Sequence, residues 1–340
     1  MQESGAAGEL DLSLINALQL APRAPWSELA PILDVDATTL ARHWRRLEAD
    51  GLARITLFPR AQTMAQHNMA YVELTCRNGT VEQVASQLSA GSATLSIQFT
   101  AGSHQLLLTV APRRGLADYL LNWIGTFPDI LSYRVHTVTH LFSEADQWQV
   151  RALSAEQRRR LCALAPPAPE EASGTRLTGL DRRIVELLCV DGRASYGKIA
   201  QQLGIAPTTA ARRLNRLLRG GIVGLRCDIA RSVLGWPTGA VLWGSMAPQE
   251  LARTRELGKR IPELRLCSGI AGPENTHFIV WLRSVADLTR VERRLQEELP
   301  GLVISDRRMV LRVFKLMGAV MDPDEHYTDT VPLRLGVPAA

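Results

Sequence analysis

Thr208, Thr209, Arg212, Arg213 and Arg216 stand together in a short segment otherwise rich in Ala and Leu. Arg212 and Arg216 are one helical turn apart and share a side, opposite Leu214 and Leu217. Guanidinium groups grip phosphate oxygens and the edge of guanine, and short hydroxyls beside them reach other base edges. The chemistry on offer is recognition of a polyanion, with no bond made or broken. Thr38, Thr39, Arg42, Arg45 and Arg46 repeat the pattern in the first part of the chain.

The elements that must hold these residues are repeated too. The segment Leu10 to Leu52 lies without a gap over Leu180 to Ile222, and Leu10, Asp11, Ala30, Leu33, Thr38, Thr39, Ala41, Arg42, Arg46, Leu47 and Gly51 find identical counterparts. In the second copy, Leu180, Ile184, Leu187 and Leu188 give a first helix. Ser195 caps a second helix, Tyr196 to Leu203, which Gly204 ends. Pro207 opens a third, with Ala210, Leu214 and Leu217 inward and Gly220-Gly221 as its stop. Three short helices with a glycine turn are the pattern of a helix-turn-helix. In the first copy Asp34 replaces the turn glycine and Asp36 takes the cap position. Two carboxylates at the mouth of the third helix repel phosphate, so the second copy is expected to be the stronger DNA reader.

After each helical segment, short strands alternate with helices. Met69–Thr75, Val81–Leu88, Thr94–Thr100, His104–Val110, Leu116–Thr126 and Ile130–Phe142 read as βαββαβ, and Ala240–Met246, Pro248–Arg260, Leu264–Gly269, His277–Leu282, Val285–Leu299 and Val303–Leu316 repeat that order. The expected fold class is α+β: two helix-turn-helix domains, each followed by a ferredoxin-like domain. The sheet face carrying Tyr71, Leu106 and Leu108, or Leu242, Phe278 and Val280, is expected to need a second sheet as its cover. The boundaries follow: helix-turn-helix domains at 8–60 and 178–232, βαββαβ domains at 66–145 and 236–320, a proline-rich linker at 146–177 and an extended or loosely docked tail at 321–340.

Bulk properties narrow the function. The 340 residues are 46% hydrophobic and 21% charged, an ordinary globular composition. A net charge of +5 suits a polyanionic partner. Only Lys198, Lys259 and Lys315 are lysines, so the other 36 of the 39 basic residues are arginine. No membrane span or leader is visible, and a cytoplasmic protein is expected. Cys76, Cys162, Cys189, Cys227 and Cys267 have no metal-binding spacing and are expected as reduced thiols, with no metal and no cofactor. There is no Ser/His/Asp set, carboxylate pair or phosphate loop, and no enzyme activity is expected.

Leu180-Asp181-Arg182-Arg183-Ile184, Asp191-Gly192-Arg193-Ala194-Ser195-Tyr196, Ile199-Ala200, Leu203-Gly204-Ile205 and Thr208-Thr209 through Arg216-Leu217 resemble the N-terminal domain of the Lrp/AsnC family of bacterial transcription regulators. The βαββαβ segments are similar to that family's C-terminal domain. The resemblance covers both halves, as two fused family units. It implies double-stranded DNA as partner, homo-oligomers (a dimer or larger), and a small-molecule effector such as an amino acid. The effector residues it implies lie at the turns between the middle strands: Gly102, Ser103 and His104, and Gly272, Glu274 and Asn275. The family usually follows the glycine with an aspartate, which this chain lacks. Some proteins similar to the family, including tandem forms, are siroheme decarboxylases, the alternative reading. Their His-Asn-Tyr-type motif on the second strand is absent from Ser96–Thr100 and from Arg265–Gly269.

Overall fold

Asp11 and Asp181 occupy the same place in the two copies and fold their surroundings in the same way. The computed structural model describes residues 8–60, 69–143, 148–165 and 177–334. Helices α1 (Glu9–Leu20), α2 (Trp26–Leu33) and α3 (Ala37–Ala49) form the first helical segment. The buried Asp11 carboxylate accepts from the Gly8 amide at 3.3 Å, then meets His43 Nδ1 at 2.8 Å and Arg46 Nη2 at 2.5 Å on α3. Beyond β1 (Ala53–Pro59), β2 (Ala70–Cys76), α4 (Val81–Ser89), β3 (Thr94–Thr100), β4 (Leu106–Val110), α5 (Leu116–Asn122), β5 (Ile130–Ser143) and α6 (Ala155–Cys162), the second segment follows. It consists of α7 (Gly179–Val190), α8 (Tyr196–Leu203) and α9 (Pro207–Arg219). There Asp181 accepts from the Thr178 amide at 2.9 Å and meets Arg213 at 3.0 Å and Arg216 at 2.6 Å. One carboxylate caps the first helix and ties the third to it. Burial alone would raise the Asp181 carboxyl, but the Thr178 hydrogen bonds and the two guanidinium groups prevail and hold it below the usual range.

The turn into each third helix is left-handed, at φ 68° for Gly204 and φ 56° for Asp34. Asp is one of the few residues other than glycine that accept this conformation, so the replacement leaves the turn intact. Ser195 caps α8 by accepting from the Lys198 amide at 3.1 Å, and Pro207 opens α9, both as the sequence predicts.

The two helical segments belong to one unit, made of residues 8–60, 149–165, 177–234 and 326–334. They join through a ribbon of β1 and β6 (Val223–Ile229), two strands that the sequence analysis does not contain. All seven residues of β1 are buried, so no polar–apolar alternation announces it. In the antiparallel ribbon Ile55 faces Cys227, Thr56 faces Arg226 and Leu57 faces Leu225. Overlaying the copies turns the first of these pairs into the last and leaves Thr56 with Arg226 at the centre. Beside the ribbon, Arg23 donates to the carbonyls of Gly192 and Ala194 at 2.6 and 2.8 Å. Its counterpart Arg193 donates to the carbonyls of Pro22 and Ala24 at 2.7 and 2.9 Å. Each guanidinium also covers an aromatic ring of the other copy, Arg23 over Tyr196 and Arg193 over Trp26. These contacts recur with the copies exchanged, the signature of an isologous interface about a local twofold axis. Gly192 lies where a Cβ would come within 2.7 Å of the Ile55 carbonyl oxygen, so only glycine fits the crossing.

Part of the expected linker is docked on this unit: Leu161 of α6 is fully buried, and the Ala152 amide donates to Asn16 at 2.9 Å. The stretch 166–176 lies outside the described residues. The tail is docked as well. Leu333 is buried, the Tyr327 amide donates to the Gly51 carbonyl at 2.8 Å, and Thr330 accepts from Arg54 at 3.0 Å.

The second unit holds residues 69–143, 148 and 235–325. Its second half comprises β7 (Thr238–Ser245), a 3-10 segment Pro248–Glu256 leading into the single turn α10 (Leu257–Arg260), β8 (Leu264–Ile270), β9 (Thr276–Leu282), α11 (Asp287–Glu298) and β10 (Val303–Leu316). The βαββαβ order appears twice, as expected, but the two sheets do not stay separate. β5 and β10, each 14 residues long, are twice the length of most other strands. The first part of β5 pairs with β2, and its end runs on along β8, with His140 facing Gly269 and Leu141 facing Ser268. β10 pairs in the same way with β7 and then with β3. The ring β3-β4-β2-β5-β8-β9-β7-β10 therefore closes into an eight-stranded barrel. The expected stacking of two sheets is replaced by closure, which removes the exposed sheet edges.

One grouping is corrected by this geometry. Leu106 and Leu108 pack with Val72, Leu74, Val84 and Leu88 under the helices of the first half, and Leu242, Phe278 and Val280 do so with Val291 and Leu295 in the second. Tyr71, one position from Val72, faces the barrel interior instead.

Two substitutions test the helical unit. Asp181→Asn is expected to cost about 2 kcal/mol at neutral pH, the scale of a lost charge-assisted hydrogen bond, read from the denaturation midpoint. The folded carboxyl titrates below the unfolded one, so this stabilisation is present at neutral pH and fades as pH falls below the free-aspartate value of 3.8; wild-type and variant midpoints should converge there. Equal midpoints at neutral pH would remove the tie. Gly192→Ala is expected to cost about 1–3 kcal/mol through overpacking against Ile55, and an unchanged midpoint would mean the copies do not meet there.

Candidate nucleic-acid interface

Each third helix buries one side and presents the other. α9 buries Ala210, Leu214 and Leu217, and α3 buries Leu40, Trp44 and Leu47. The outer side of α9 exposes Thr208, Arg212 and Arg216, with Thr209 and Arg213 half-buried at its margin. That of α3 exposes Thr38, Arg42, Arg45 and Arg46, with Thr39 half-buried. The five residues singled out on each helix therefore do share a face, but they are not equally free. Arg213 and Arg216 are held by Asp181, and Arg46 by Asp11. Arg212, Arg42 and Arg45 make no hydrogen bond or ion pair among the described residues. A guanidinium without an internal partner keeps all five donors for a ligand.

The helix entrances differ in charge. Asp36 Oδ1 accepts from the Thr39 amide at 2.9 Å and from the Thr38 hydroxyl. The Thr38 hydroxyl bond, then Thr39, pull the Asp36 carboxyl below its usual range, so it is ionised at neutral pH. At the same place α9 has Ala206, whose side chain makes no capping bond, followed by Pro207. The N-terminus of α9 thus carries no side-chain charge against its positive dipole end, while that of α3 carries a fixed negative charge.

The six residues implied as effector contacts fall into two hairpin turns of the barrel. Gly102 has φ 149°, and a Cβ there would lie 3.2 Å from the Arg308 side chain. Next to it Ser103 Oγ meets His104 Nδ1 at 3.1 Å. In the other turn Gly272 has φ 145°, Glu274 pairs with Arg134 at 3.0 Å, and Asn275 is bonded to both backbone groups of Met246 at 2.7 and 3.0 Å. Asn275 and Glu274 thus have internal partners.

The barrel interior holds a polar cluster absent from the sequence analysis. The His136 ring meets Glu73 at 3.1 Å, and Arg308 pairs with the other oxygen of Glu73 and, at 2.6 Å, with Asp306. Tyr71, Ser268 and His277 form a chain of hydrogen bonds, 3.0 Å from hydroxyl to hydroxyl and 3.3 Å from Ser268 Oγ to His277 Nδ1. Tyr71 packs on His277 with ring centres 4.0 Å apart, and His136 stacks on Trp243 at 4.3 Å. Burial, with His136 adding to it, pushes His277 down to about 3, so the ring is neutral. Burial would raise the Glu73 carboxyl, but His136 and Arg308 outweigh it and keep it below the usual range. The signal was legible: in Ala-Tyr-Val-Glu-Leu-Thr-Cys the polar residues alternate with the apolar ones.

Among the described residues no group of three or more His, Cys, Asp or Glu is placed to hold a metal ion, and no helix is long and apolar enough to cross a membrane.

Comparison with known proteins matches both helical segments. Residues 177–218 match the AsnC-type helix-turn-helix domain, and residues 9–54 match a winged helix-turn-helix DNA-binding domain. An uncharacterised HTH-type transcriptional regulator of Pyrococcus abyssi is 27% identical over 125 residues, covering 36% of this chain and 77% of the relative. The regulatory protein AsnC of Escherichia coli is 33% identical over 67 residues, 19% of this chain and 44% of AsnC. Among solved structures, the siroheme decarboxylase NirDL superposes with a TM-score of 0.59 at 15% identity, covering 91% of this chain and 93% of NirDL, a likeness of fold. Two helix-turn-helix units thus stand in one polypeptide, the second matching the AsnC-type domain and the first a winged DNA-binding domain, and the chain is similar over part of its length to HTH-type transcriptional regulators and to AsnC.

Proposed function

We propose that this protein is a sequence-specific regulator of transcription that binds double-stranded DNA through α3 and α9. The observation that carries the reading is the pair Arg42 and Arg212, at matching places on the exposed faces of two recognition-type helices and free of internal partners. Relatives named as HTH-type transcriptional regulators and as AsnC support it. On this reading segments 8–60 and 178–232 read the duplex, and segments 66–145 and 236–320 serve assembly into homo-oligomers and response to a small effector such as an amino acid. The effector contacts assigned are Gly102, Ser103, His104, Gly272, Glu274 and Asn275, in the two barrel turns. Thr208, Thr209 and Arg212 form the inner contact of α9, with Thr38, Thr39, Arg42 and Arg45 their equivalents on α3. Arg213, Arg216 and Arg46 reach the phosphate backbone from the positions in which the aspartates hold them. The site of action is the cytoplasm.

A second reading, a tetrapyrrole enzyme, is favoured by the whole-chain fold likeness to NirDL and by the paired histidines His136 and His277 in the barrel. The rings stacked on one another across that interior favour the first. Uptake of siroheme with release of carbon dioxide would reverse the order.

Arg212→Ala is expected to weaken operator binding about tenfold and to relax base preference at one position of the site, with no change in melting temperature. Arg216→Ala should lower both affinity and melting temperature, because it also loosens Asp181. If Arg212→Ala and Arg42→Ala both leave affinity and base preference unchanged, the helices are not the DNA-reading surface.

A further inference from the structure

Two features of the helical unit, taken together, determine what kind of duplex it fits. The first is the local twofold axis through Thr56 and Arg226, with the reciprocal clamps of Arg23 and Arg193 on either side of it. A twofold operation inverts the second recognition helix relative to the first, so two groove segments read by α3 and α9 run in opposite directions. The second is that the operation relates unlike surfaces. Arg42 and Arg212 are equivalent, exposed and unpartnered, and present the same guanidinium fork at the same place. One turn earlier the chemistry diverges. The Thr38 hydroxyl spends its proton on Asp36, leaving an ionised carboxylate beside a hydroxyl that can only accept. The Thr208 hydroxyl makes no hydrogen bond among the described residues and keeps its proton to donate. Further along, Arg45 of α3 is matched by Asn215 of α9, both exposed.

We infer that one chain reads a complete operator made of two inverted but unlike half-sites. The inference rests on the DNA-reading function proposed above and specifies its target. Both half-sites carry a guanine, the partner of the forks of Arg42 and Arg212. They differ at the base pair facing the helix entrance. The α3 half presents an exocyclic amine, of cytosine or adenine, to the Asp36 carboxylate and the accepting Thr38 hydroxyl. The α9 half presents an acceptor to the Thr208 hydroxyl, and its phosphate comes close to the uncharged start of α9. A protein made of two identical units selects a true palindrome. Here the asymmetry is covalent, so the chain binds in one orientation, with α9 always on the same side.

The test is selection by the full chain from random duplexes long enough for two half-sites a helical turn apart, about 34 Å, repeated with Arg42→Ala, Arg212→Ala and Asp36→Ser. The serine keeps a capping oxygen on α3 and removes the charge. The expected result is an enriched pair of inverted motifs that share a guanine and differ beside it, bound by one helical unit per duplex. Arg212→Ala should lose roughly tenfold or more of the guanine preference in one motif only, Arg42→Ala the same in the other only. Asp36→Ser should relax the amine-bearing base of the Arg42 motif and leave the other untouched. Identical half-sites, a direct repeat, or both arginine variants acting on the same motif would overturn the inference while leaving DNA reading in place. Absence of any enrichment over random competitor would overturn the DNA-reading proposal and this inference with it.

Discussion

The helical unit depends on four hydrogen bonds between guanidinium groups and backbone carbonyls, given by Arg23 to one copy and by Arg193 to the other. Both side chains are largely withdrawn from water, and burial lowers both guanidinium pKa values, Arg193 to about 10, which still leaves them charged at neutral pH. Charge-assisted bonds to fixed carbonyls are directional, and an aromatic ring under each guanidinium sets its plane. Together with the β1–β6 ribbon they fix one copy on the other. The turn bearing Arg23 leads into α2 and the turn bearing Arg193 into α8, so each clamp lies next to the helix pair that carries a recognition helix. Rigidity at that point is what a reader of two separated groove segments requires.

Much of this was legible in the sequence, because apolar spacing and caps are local signals. The limits of α8 and the start of α9 follow from Ser195, Gly204 and Pro207. What the sequence did not resolve were the contacts that make the copies one body. β1 and β6 are short and buried on both faces, so they lack the alternation by which a strand is read. The identity of Arg23 with Arg193 was in plain view, but a lone arginine in a turn has no pattern of its own. A general point follows from Asp11, Asp181, Arg46 and Arg216. These polar identities between copies sit partly on a helix face that looks built for DNA, and structurally they are ties between the first and third helices. Identity between repeats marks what the fold needs twice. Difference between repeats, as at Asp36 and Ala206, marks where the two surfaces have been given separate tasks.

The barrel shows a second limit of sequence reading. Element order gave two βαββαβ units, but closure depends on strand length: β5 and β10 are long enough to serve two neighbours in succession. A span of 14 residues against a usual seven was the signal for a strand that pairs with both halves. Reading such a strand as a member of one sheet leaves its second part unemployed and forces the expectation of a stacked partner.

Closure also explains why the interior is polar. The two halves meet there without a helix layer between them, and Glu73, His136, Arg308, Tyr71, Ser268 and His277 are joined across the interior rather than along one strand. A buried ion pair adds little net stability against a well-packed apolar core, but a buried charge left alone costs several kcal/mol. The arrangement therefore discriminates more than it stabilises. The place of Glu73 in the first half is taken by Trp243 in the second, so a barrel built from two second halves would set an indole where Arg308 needs a carboxylate. The complementary halves of one chain satisfy the cluster, and two copies of the second half do not. Polar residues in the barrel thus favour a pairing of unlike halves, whereas the reciprocal arginines, the same in both copies, set how the copies of the helical unit meet.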